Sequence, residues 1–149
     1  MAKSTRIKKI AVPYDGSKFS KRALDMAFNL ATKYKAEILL LICIEKINGS
    51  WYSHELKPFY IKEAAKQKVK IRKDIENLRE TARKKKIRFG AKIFVTDSVV
   101  EQLIKATNAN KVDLIVMGSH GRSGLKKLIL GSVANGVVQR SRKQVLIAR

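Results

Sequence analysis

The sequence predicts a single-domain α/β protein with a doubly wound, mostly parallel sheet of five strands and helices on both faces. Short aliphatic runs alternate with amphipathic stretches in the order β-α-β-α-β-α-β-α-β. The second run is too continuously apolar for a strand with one wet face, which is typical of buried parallel strands. A length of 149 residues fits one domain over residues 1–149. Right-handed crossovers with short connections favour the doubly wound arrangement.

The first third of the chain contains two predicted strands and one predicted helix. Ile10–Val12 is a short buried strand that Pro13 closes. Asp15–Ser17 supplies turn residues and an N-cap for an amphipathic helix over Lys18–Tyr34. Glu37–Glu45 is the nearly continuous aliphatic run and predicts the second strand.

The middle third is predicted to hold a loop, a long polar helix and a strand. Asn48–Glu55 has the composition of a loop, and the helix follows from Pro58 to Lys86. Its apolar residues are expected to form one narrow stripe. They are Ile61, Ala65, Val69, Ile75, Leu78 and Ala82. Ile87–Val95 is predicted as the third strand, weakened by Gly90.

The last third is predicted to alternate helices and strands twice. Ser98 and Glu101 match a capping box, so a helix is expected to begin there. Asp113–Met117 is the fourth strand, and a loop rich in Gly and Ser follows it. A helix over Ser132–Gln139 and a strand over Gln144–Ala148 complete the predicted fold.

The charge of the chain is strongly one-sided. Lys and Arg number 33 against 12 Asp and Glu, a formal net charge of +21. Such a charge attracts nucleotides, nucleic acids and acidic lipids. The alternative is that the cytosolic proteins of the source are basic in general, and that the lysines only solvate the surface of this one. The net charge therefore gives information about possible binding partners but none about the fold.

Compartment signals favour the cytoplasm. Cys43 is the single cysteine and cannot form an internal disulfide, so an oxidising compartment is not indicated. The basic start lacks the apolar segment of a signal peptide. No stretch approaches the roughly 18 apolar residues of a transmembrane helix, so no membrane association is expected.

Three polar, turn-forming clusters follow predicted strands. They are Pro13–Gly16, Cys43–Lys46 and Gly118–Gly124. Ligands of open α/β sheets bind beyond the carboxyl ends of the strands, where the strand order reverses. The three clusters are therefore expected to converge on one crevice.

The cluster after the fourth strand is suited to an anion. Gly118 and Gly121 permit close approach of the backbone, and their amides can surround an anion. Gly131 and Ser132 open a helix, whose first N–H groups favour negative charge. Ser132 either caps that helix or donates its hydroxyl to a phosphate.

Local physics leaves two interpretations of this cluster equally open. Arg122, Lys126 and Lys127 add positive charge, which favours a phosphate site. The alternative is a plain turn followed by a helix cap. Neither a Walker A motif nor the Gly-x-Gly-x-x-Gly dinucleotide fingerprint occurs.

At these residues the chain resembles the universal stress protein family. The resemblance is carried by Lys9–Ser17, Asp113–Gly124, Leu130–Asn135 and Val145–Ile147. The family's ATP-binding pattern, Gly-x2-Gly-x9-Gly-[Ser/Thr], is present from Gly118 to Ser132. Members that keep this pattern generally bind ATP. The resemblance thus implies the ATP-binding subgroup.

The resemblance also implies architecture, assembly and role. Family members have the strand order 3-2-1-4-5 of the adenine nucleotide alpha hydrolase-like fold. They typically form a homodimer through the last strand, here Gln144–Ala148. A homodimeric, ATP-binding regulatory protein of the stress response is the implied function, with Mg²⁺ arriving with the nucleotide.

The resemblance assigns a binding role to residues of all three clusters. Backbone amides and the Ser132 hydroxyl would hold the ribose and phosphates, while His120 and Arg122 border the phosphates. Asp15 would lie near the ribose and any divalent metal, and Cys43 and Met117 would line the adenine pocket. The predicted binding residues are Pro13, Tyr14, Asp15, Cys43, Met117, Gly118, His120, Gly121, Arg122, Gly131, Ser132 and Val133.

Three departures from the family pattern affect the transfer. Asp97 follows the third strand, where the family often has a Gly and a small residue, and is expected to add negative charge near the crevice. Ile42-Cys43 ends the second strand in place of His before Val. The resemblance says nothing about the basic segment Lys62–Arg88.

Catalysis is not expected. His120 is interpreted as a loop histidine near the ligand, and His54 has no partner in sequence. Cys43 lies in an aliphatic strand without the surroundings that activate a thiol. No zinc-ligand spacing, dedicated base or arginine finger is recognised, so slow ATP hydrolysis is the most that is expected.

Two alternative functions stay open. A nucleic-acid-binding protein is suggested by the net charge and the basic segment Lys62–Arg88, although that segment has few aromatic residues and no recognised reading motif. A scaffold domain with a vestigial nucleotide pocket is the other alternative.

Overall fold

A computed structural model describes residues 6–46, 57–122 and 129–149. The elements are β1 (Lys9–Pro13), α1 (Lys18–Tyr34), β2 (Glu37–Glu45), α2 (Lys57–Lys84), β3 (Phe89–Thr96), α3 (Val99–Ala109), β4 (Leu114–Gly118), α4 (Ser132–Arg140) and β5 (Gln144–Ala148). The predicted loop over Asn48–Glu55, with His54, and the two lysines Lys126 and Lys127 lie outside the described residues. No described helix is long and apolar enough to cross a membrane.

The five strands form one parallel sheet in the order β3-β2-β1-β4-β5. The doubly wound α/β prediction and its strand order are therefore confirmed. The chain runs outward from β1 through β2 to β3, then crosses back to β4 on the other side of β1. This reversal opens a crevice at the carboxyl ends of β1 and β4.

Each face of the sheet has its own hydrophobic core. Ile10 and Val12 point to the face that α1 and α2 cover, where they pack with Ala27. Ala11 points to the opposite face and packs with Leu103 of α3. Successive side chains of a strand alternate between faces, so a strand apolar throughout must be covered on both. The continuous apolar run of β2 has this cause.

Two predicted caps are present, one of them only in part. Ser17 caps α1, and its Oγ accepts a hydrogen bond from the Ser20 amide at 3.2 Å. Ser98 caps α3 by accepting from the Glu101 amide at 3.4 Å. The reciprocal half of the capping box is absent, because the Ser98 amide donates to Thr96 Oγ1 at 3.2 Å. The Glu101 carboxylate instead accepts from Arg140 Nη2 at 3.4 Å.

The single apolar stripe predicted for α2 is wrong. Ile75 and Ala82 are buried, whereas Ile61 and Val69 are 62% and 69% exposed. Steps of four residues advance about 40° beyond a full turn of an α-helix. Positions 61, 65 and 69 consequently rotate away from the face that the second half of the helix buries.

The boundary between α2 and β3 also differs from the prediction. Lys86 adopts a positive φ of 56°, which ends the helix before it. The Ile87 amide donates to Ala82 O at 2.9 Å, and the Ile87 side chain packs in the core. Ile87 therefore closes α2, and the strand begins at Phe89.

Candidate functional site

A cavity of about 860 Å³ lies at the carboxyl ends of β1, β2 and β4. Its volume is within the range of small-molecule sites. Every predicted binding residue lines it. They are Pro13, Tyr14, Asp15, Cys43, Met117, Gly118, His120, Gly121, Arg122, Gly131, Ser132 and Val133. The three clusters that the sequence singled out thus border one space.

The turn between β1 and α1 forms one wall of the cavity. Gly16 has a positive φ of 79°, which a residue without Cβ adopts at little cost. The Asp15 carboxylate accepts from the Ser17 amide at 2.9 Å. Arg122 Nε donates to the Asp15 carbonyl oxygen at 2.9 Å. This bond ties the turn to the loop after β4.

The loop after β4 is held in place at both ends. The Ser119 amide donates to Ala148 O at 2.9 Å, next to the end of β5. The Gly131 amide donates to Ser119 O at 2.8 Å. This second bond returns the chain to the end of β4, so α4 begins beside the cavity.

Gly118 and Gly121 lie against different neighbours. A Cβ at Gly118 would lie 2.7 Å from Phe19 Cβ and 2.8 Å from the Phe19 carbonyl carbon, so Gly118 permits α1 to pack on β4. A Cβ at Gly121 would lie 3.0 Å from Asp15 Oδ2. The Asp15 carboxylate therefore sits directly against the glycine loop.

The start of α4 leaves polar groups directed to the cavity. Gly131 is the N-cap residue, and no side chain caps the helix. The predicted alternative that Ser132 caps the helix is therefore wrong, since Ser132 is already the first helical residue. Its exposed hydroxyl makes no hydrogen bond with any residue that the structure describes. The first N–H groups of a helix also lack intrahelical acceptors.

Apolar side chains form the opposite wall. Leu41 and Cys43 come from β2, Leu103 from α3 and Met117 from β4. Burial raises the pKa of the Cys43 thiol to about 11, so this side chain is neutral at physiological pH. The wall can therefore contact a flat apolar group without placing a charge against it.

Residues of α2 line the same cavity and were not predicted. They are Gln67, Lys70, Ile71 and Asp74. The pKa of Tyr14 is raised by burial and by the nearby charges of Asp74 and Asp15. Polar side chains recur along α2 every three or four residues, which was the available signal. The family resemblance did not extend to this helix.

Two polar residues near the site have partners of their own. Asp97, which was expected to add negative charge near the crevice, does not itself line the cavity, and its carboxylate pairs with Lys46 Nζ at 3.0 Å. His120 Nδ1 lies 3.0 Å from Ser119 Oγ, and its ring centroid is 5.3 Å from that of Phe19. Among the described residues, the carboxylates that line the cavity are those of Asp15, Glu45 and Asp74.

A resident metal centre is not indicated among residues 6–46, 57–122 and 129–149. These residues contain no group of three or more His, Cys, Asp or Glu that could hold a metal ion. Asp15 contributes one carboxylate to the cavity. A cation bound there would need further oxygen ligands from a bound molecule.

Comparisons with known proteins agree with this architecture. The profile of the Universal stress protein family matches residues 6–149. Universal stress protein YxiE of Bacillus subtilis is 34% identical, over 95% of this chain and 98% of its own length. The solved structure of MJ0577, from Methanocaldococcus jannaschii, has a TM-score of 0.79 at 28% identity and covers 96% of each chain. A universal stress protein of Archaeoglobus fulgidus, solved in complex with dAMP, shares the fold with a TM-score of 0.64 at 16% identity, over 97% of this chain and 99% of that one. This chain belongs to the universal stress protein family.

Proposed function

We propose that the cavity binds ATP or a related adenine nucleotide, and that the protein acts as a homodimeric regulator in the stress response. The observation that carries the proposal is a convergence at one cavity. Asp15, the glycine loop and the Ser132 hydroxyl at the start of α4 all border it. Sequence motif and geometry therefore select the same residues.

The phosphates would bind at the start of α4. In the first turn of α4 the N–H groups of Ser132 and Val133 lack intrahelical acceptors, and the helix dipole favours an anion at this end. The Ser132 hydroxyl is open to donate to a phosphate oxygen. Arg122, tied to the Asp15 carbonyl through Nε, adds positive charge at the border.

The adenine would bind against the apolar wall. Cys43 and Met117 offer it neutral, polarisable surfaces, and Leu41 and Val133 extend the contact. The dAMP complex of the Archaeoglobus fulgidus protein supports an adenine nucleotide as the ligand class. That relative shares only the fold, so the residue assignments rest on this chain's own geometry.

Mg²⁺ would accompany the nucleotide. Proteins usually hold this ion through one or two carboxylates together with phosphate oxygens and water. The Asp15 carboxylate meets that requirement, because Oδ2 lies against Gly121 at the edge of the glycine loop. Asp15 would thus orient the ion, and the ion would neutralise phosphate charge.

We further propose that hydrolysis is slow at most. Efficient phosphoryl transfer needs a group that positions water and a cation that stabilises the developing charge. His120 Nδ1 engages Ser119, and Arg122 Nε is engaged by the Asp15 carbonyl. The Cys43 thiol is protonated, so it is not a nucleophile at neutral pH.

The test is a calorimetric titration of ATP into purified protein. Mass analysis of the molecules released on denaturation first shows whether a nucleotide co-purifies. Ser132→Ala should weaken ATP about tenfold, since a hydrogen bond to a charged group contributes about 1.5 kcal/mol. Gly121→Ala should also weaken it, by displacing the Asp15 carboxylate.

Gly90→Ala is the matched control for these variants. A Cβ at Gly90 makes only an ordinary contact, 3.7 Å from Leu39 Cδ1, and Gly90 does not line the cavity. The control should bind ATP like the unmodified protein. If folded Ser132→Ala and Gly121→Ala both keep full affinity, the site assignment is wrong.

A further inference from the structure

A second groove of about 700 Å³ continues from the cavity between the first half of α2 and the β1–α1 turn. We call it the α2 groove. It shares six residues with the cavity, so the two spaces are contiguous. The shared residues are Asp15, Gly16, Gln67, Lys70, Gly121 and Arg122. A ligand bound at the glycine loop can therefore extend into the α2 groove.

The face of α2 that lines these spaces is largely polar, with Ala64 and Ile71 as its apolar members. Tyr60, Glu63, Gln67, Lys70 and Asp74 recur every three or four residues and face the cavity or the groove. At about 1.5 Å per residue, this stripe runs for roughly 21 Å. The inward face of a surface helix is normally apolar. A long polar inward face is suited to a polar ligand.

The charge of the α2 groove favours an anion. Its basic residues are Lys18, Lys66, Lys70 and Arg122, and its acidic residues are Asp15 and Glu63. The Lys66–Glu63 pair, at 3.1 Å, is solvent-exposed, so the interaction is weak and leaves Lys66 able to bind an anion. Within the described part of the chain, Lys70 has no ion pair.

We propose that the α2 groove holds the phosphates furthest from the nucleoside, and that Lys66 and Lys70 make the site select long polyphosphate chains. The preferred ligands would be nucleoside triphosphates or longer, in preference to monophosphates. The proposal rests on the proposed function, because the nucleoside and its first phosphate must lie at the glycine loop and Ser132. Lysine ammonium groups are well suited to this role as compact cations that bind phosphate oxygens.

The experiment compares AMP, ADP and ATP binding by calorimetry in two double variants. Lys66→Gln with Lys70→Gln removes the groove cations. Lys68→Gln with Lys73→Gln removes the same charge from the same helix, at positions that line neither space. The unmodified protein should bind ATP at least tenfold more tightly than AMP.

The groove variant should lose about tenfold in ATP affinity, while its AMP affinity stays within twofold. The control variant should keep the ATP preference of the unmodified protein. An unchanged preference in the groove variant, or an equal loss in both variants, would overturn the proposal. Circular dichroism on each variant establishes that the helix is intact.

Inorganic tripolyphosphate separates this proposal from the proposed function. If no adenine nucleotide binds to the unmodified protein, the proposed function fails. Tripolyphosphate that binds more weakly to the groove variant than to the control variant would still support an anion site in the groove. Equal tripolyphosphate binding by all three proteins would reject the groove.

Discussion

Individual residues of the proposed site also have structural roles. Gly118 is part of the family's nucleotide pattern, but its missing Cβ also leaves room for the backbone of Phe19. Gly121 lies against a carboxylate rather than against backbone. A glycine therefore makes room for helix packing at one position and for the Asp15 carboxylate at the other.

Gly118→Ala should destabilise the fold. The added methyl group would lie within 3.0 Å of Phe19 backbone atoms, which cannot move without shifting α1. We expect a loss of about 2 kcal/mol in the free energy of unfolding, as for other overpacked sites. Urea denaturation measures it, with Gly90→Ala as the control expected to change little. Equal stability of the two variants would contradict this prediction, because it would mean that α1 can shift away from the added methyl group at little cost.

Cys43 should react slowly with iodoacetamide. Its pKa of about 11, against an ordinary value of 9.0, lowers the thiolate fraction about a hundredfold below pH 9. The greater nucleophilicity of a more basic thiolate recovers about tenfold of this. Alkylation at pH 8 should thus be about tenfold slower than for a free cysteine.

Because the pKa is raised, the alkylation rate should climb as the pH increases towards 11 rather than level off near 9. ATP should slow the reaction further, since Cys43 lines the cavity. Mass spectrometry over a pH series follows both effects. Rapid alkylation at pH 8 would contradict a partly buried, neutral thiol.

The bounds of a helix or strand could be predicted from local sequence patterns where they depend only on residues of that element. α1, β2 and β5 have the bounds that their sequences predict. The cap at Ser132 and the strand start at Ile87 were wrong because each depends on a neighbouring segment. The Gly131 amide bonds to Ser119 O, and the Ile87 amide bonds to Ala82 O. Neither partner is evident from periodicity.

The candidate site was predictable in part for the same reason. The clusters after β1, β2 and β4 are evident because turn residues follow buried strands. The contribution of α2 is not, since its polar stripe becomes an inward face only once Ile75 and Ala82 dock on the sheet. The sequence alone does not show whether the polar stripe of α2 faces the cavity or the solvent.

The two halves of α2 should differ in local stability. Residues 75–84 are anchored by buried Ile75 and Ala82, whereas residues 57–70 bury no side chain in the core. Local opening is easier where few apolar contacts are buried. Hydrogen exchange of the ligand-free protein should therefore be faster in the first half. Equal protection along the helix would contradict this account.

For the whole molecule, the sheet has two edge strands, β3 and β5. Exposed strand edges readily pair with another chain. We propose pairing through β5, where Leu146 is 37% exposed.

Leu146→Arg should give a monomer, because it places a charge in the proposed interface. Val95→Arg adds the same charge on the other edge strand, at a residue that is 59% exposed, and should leave the dimer intact. Light scattering should give twice 16.8 kDa for the unmodified protein and for Val95→Arg. A monomeric unmodified protein, or a dimeric Leu146→Arg, would refute pairing through β5.

The net charge of +21 affects every anion that the molecule meets. Several basic residues of α2 pair with Glu three residues away, as in Arg79–Glu76 at 2.7 Å, but these exposed pairs are weak. The nucleic-acid alternative therefore rests on charge alone, and such binding would fall steeply with salt. The proposed nucleotide site differs from such diffuse binding, because it would hold its ligand through the amides and the hydroxyl of a few residues in one cavity.

The most direct test of the central claim is an ATP titration that is followed residue by residue in a ¹H–¹⁵N correlation spectrum. The nucleotide-binding account predicts saturable shifts of the amides of Gly118, Gly121, Gly131 and Ser132, while Gly90 stays unchanged. The account would be contradicted if these amides did not shift. It would also be contradicted if the shifts failed to saturate and were spread over exposed lysines of α2 such as Lys68 and Lys73, which line neither the cavity nor the groove.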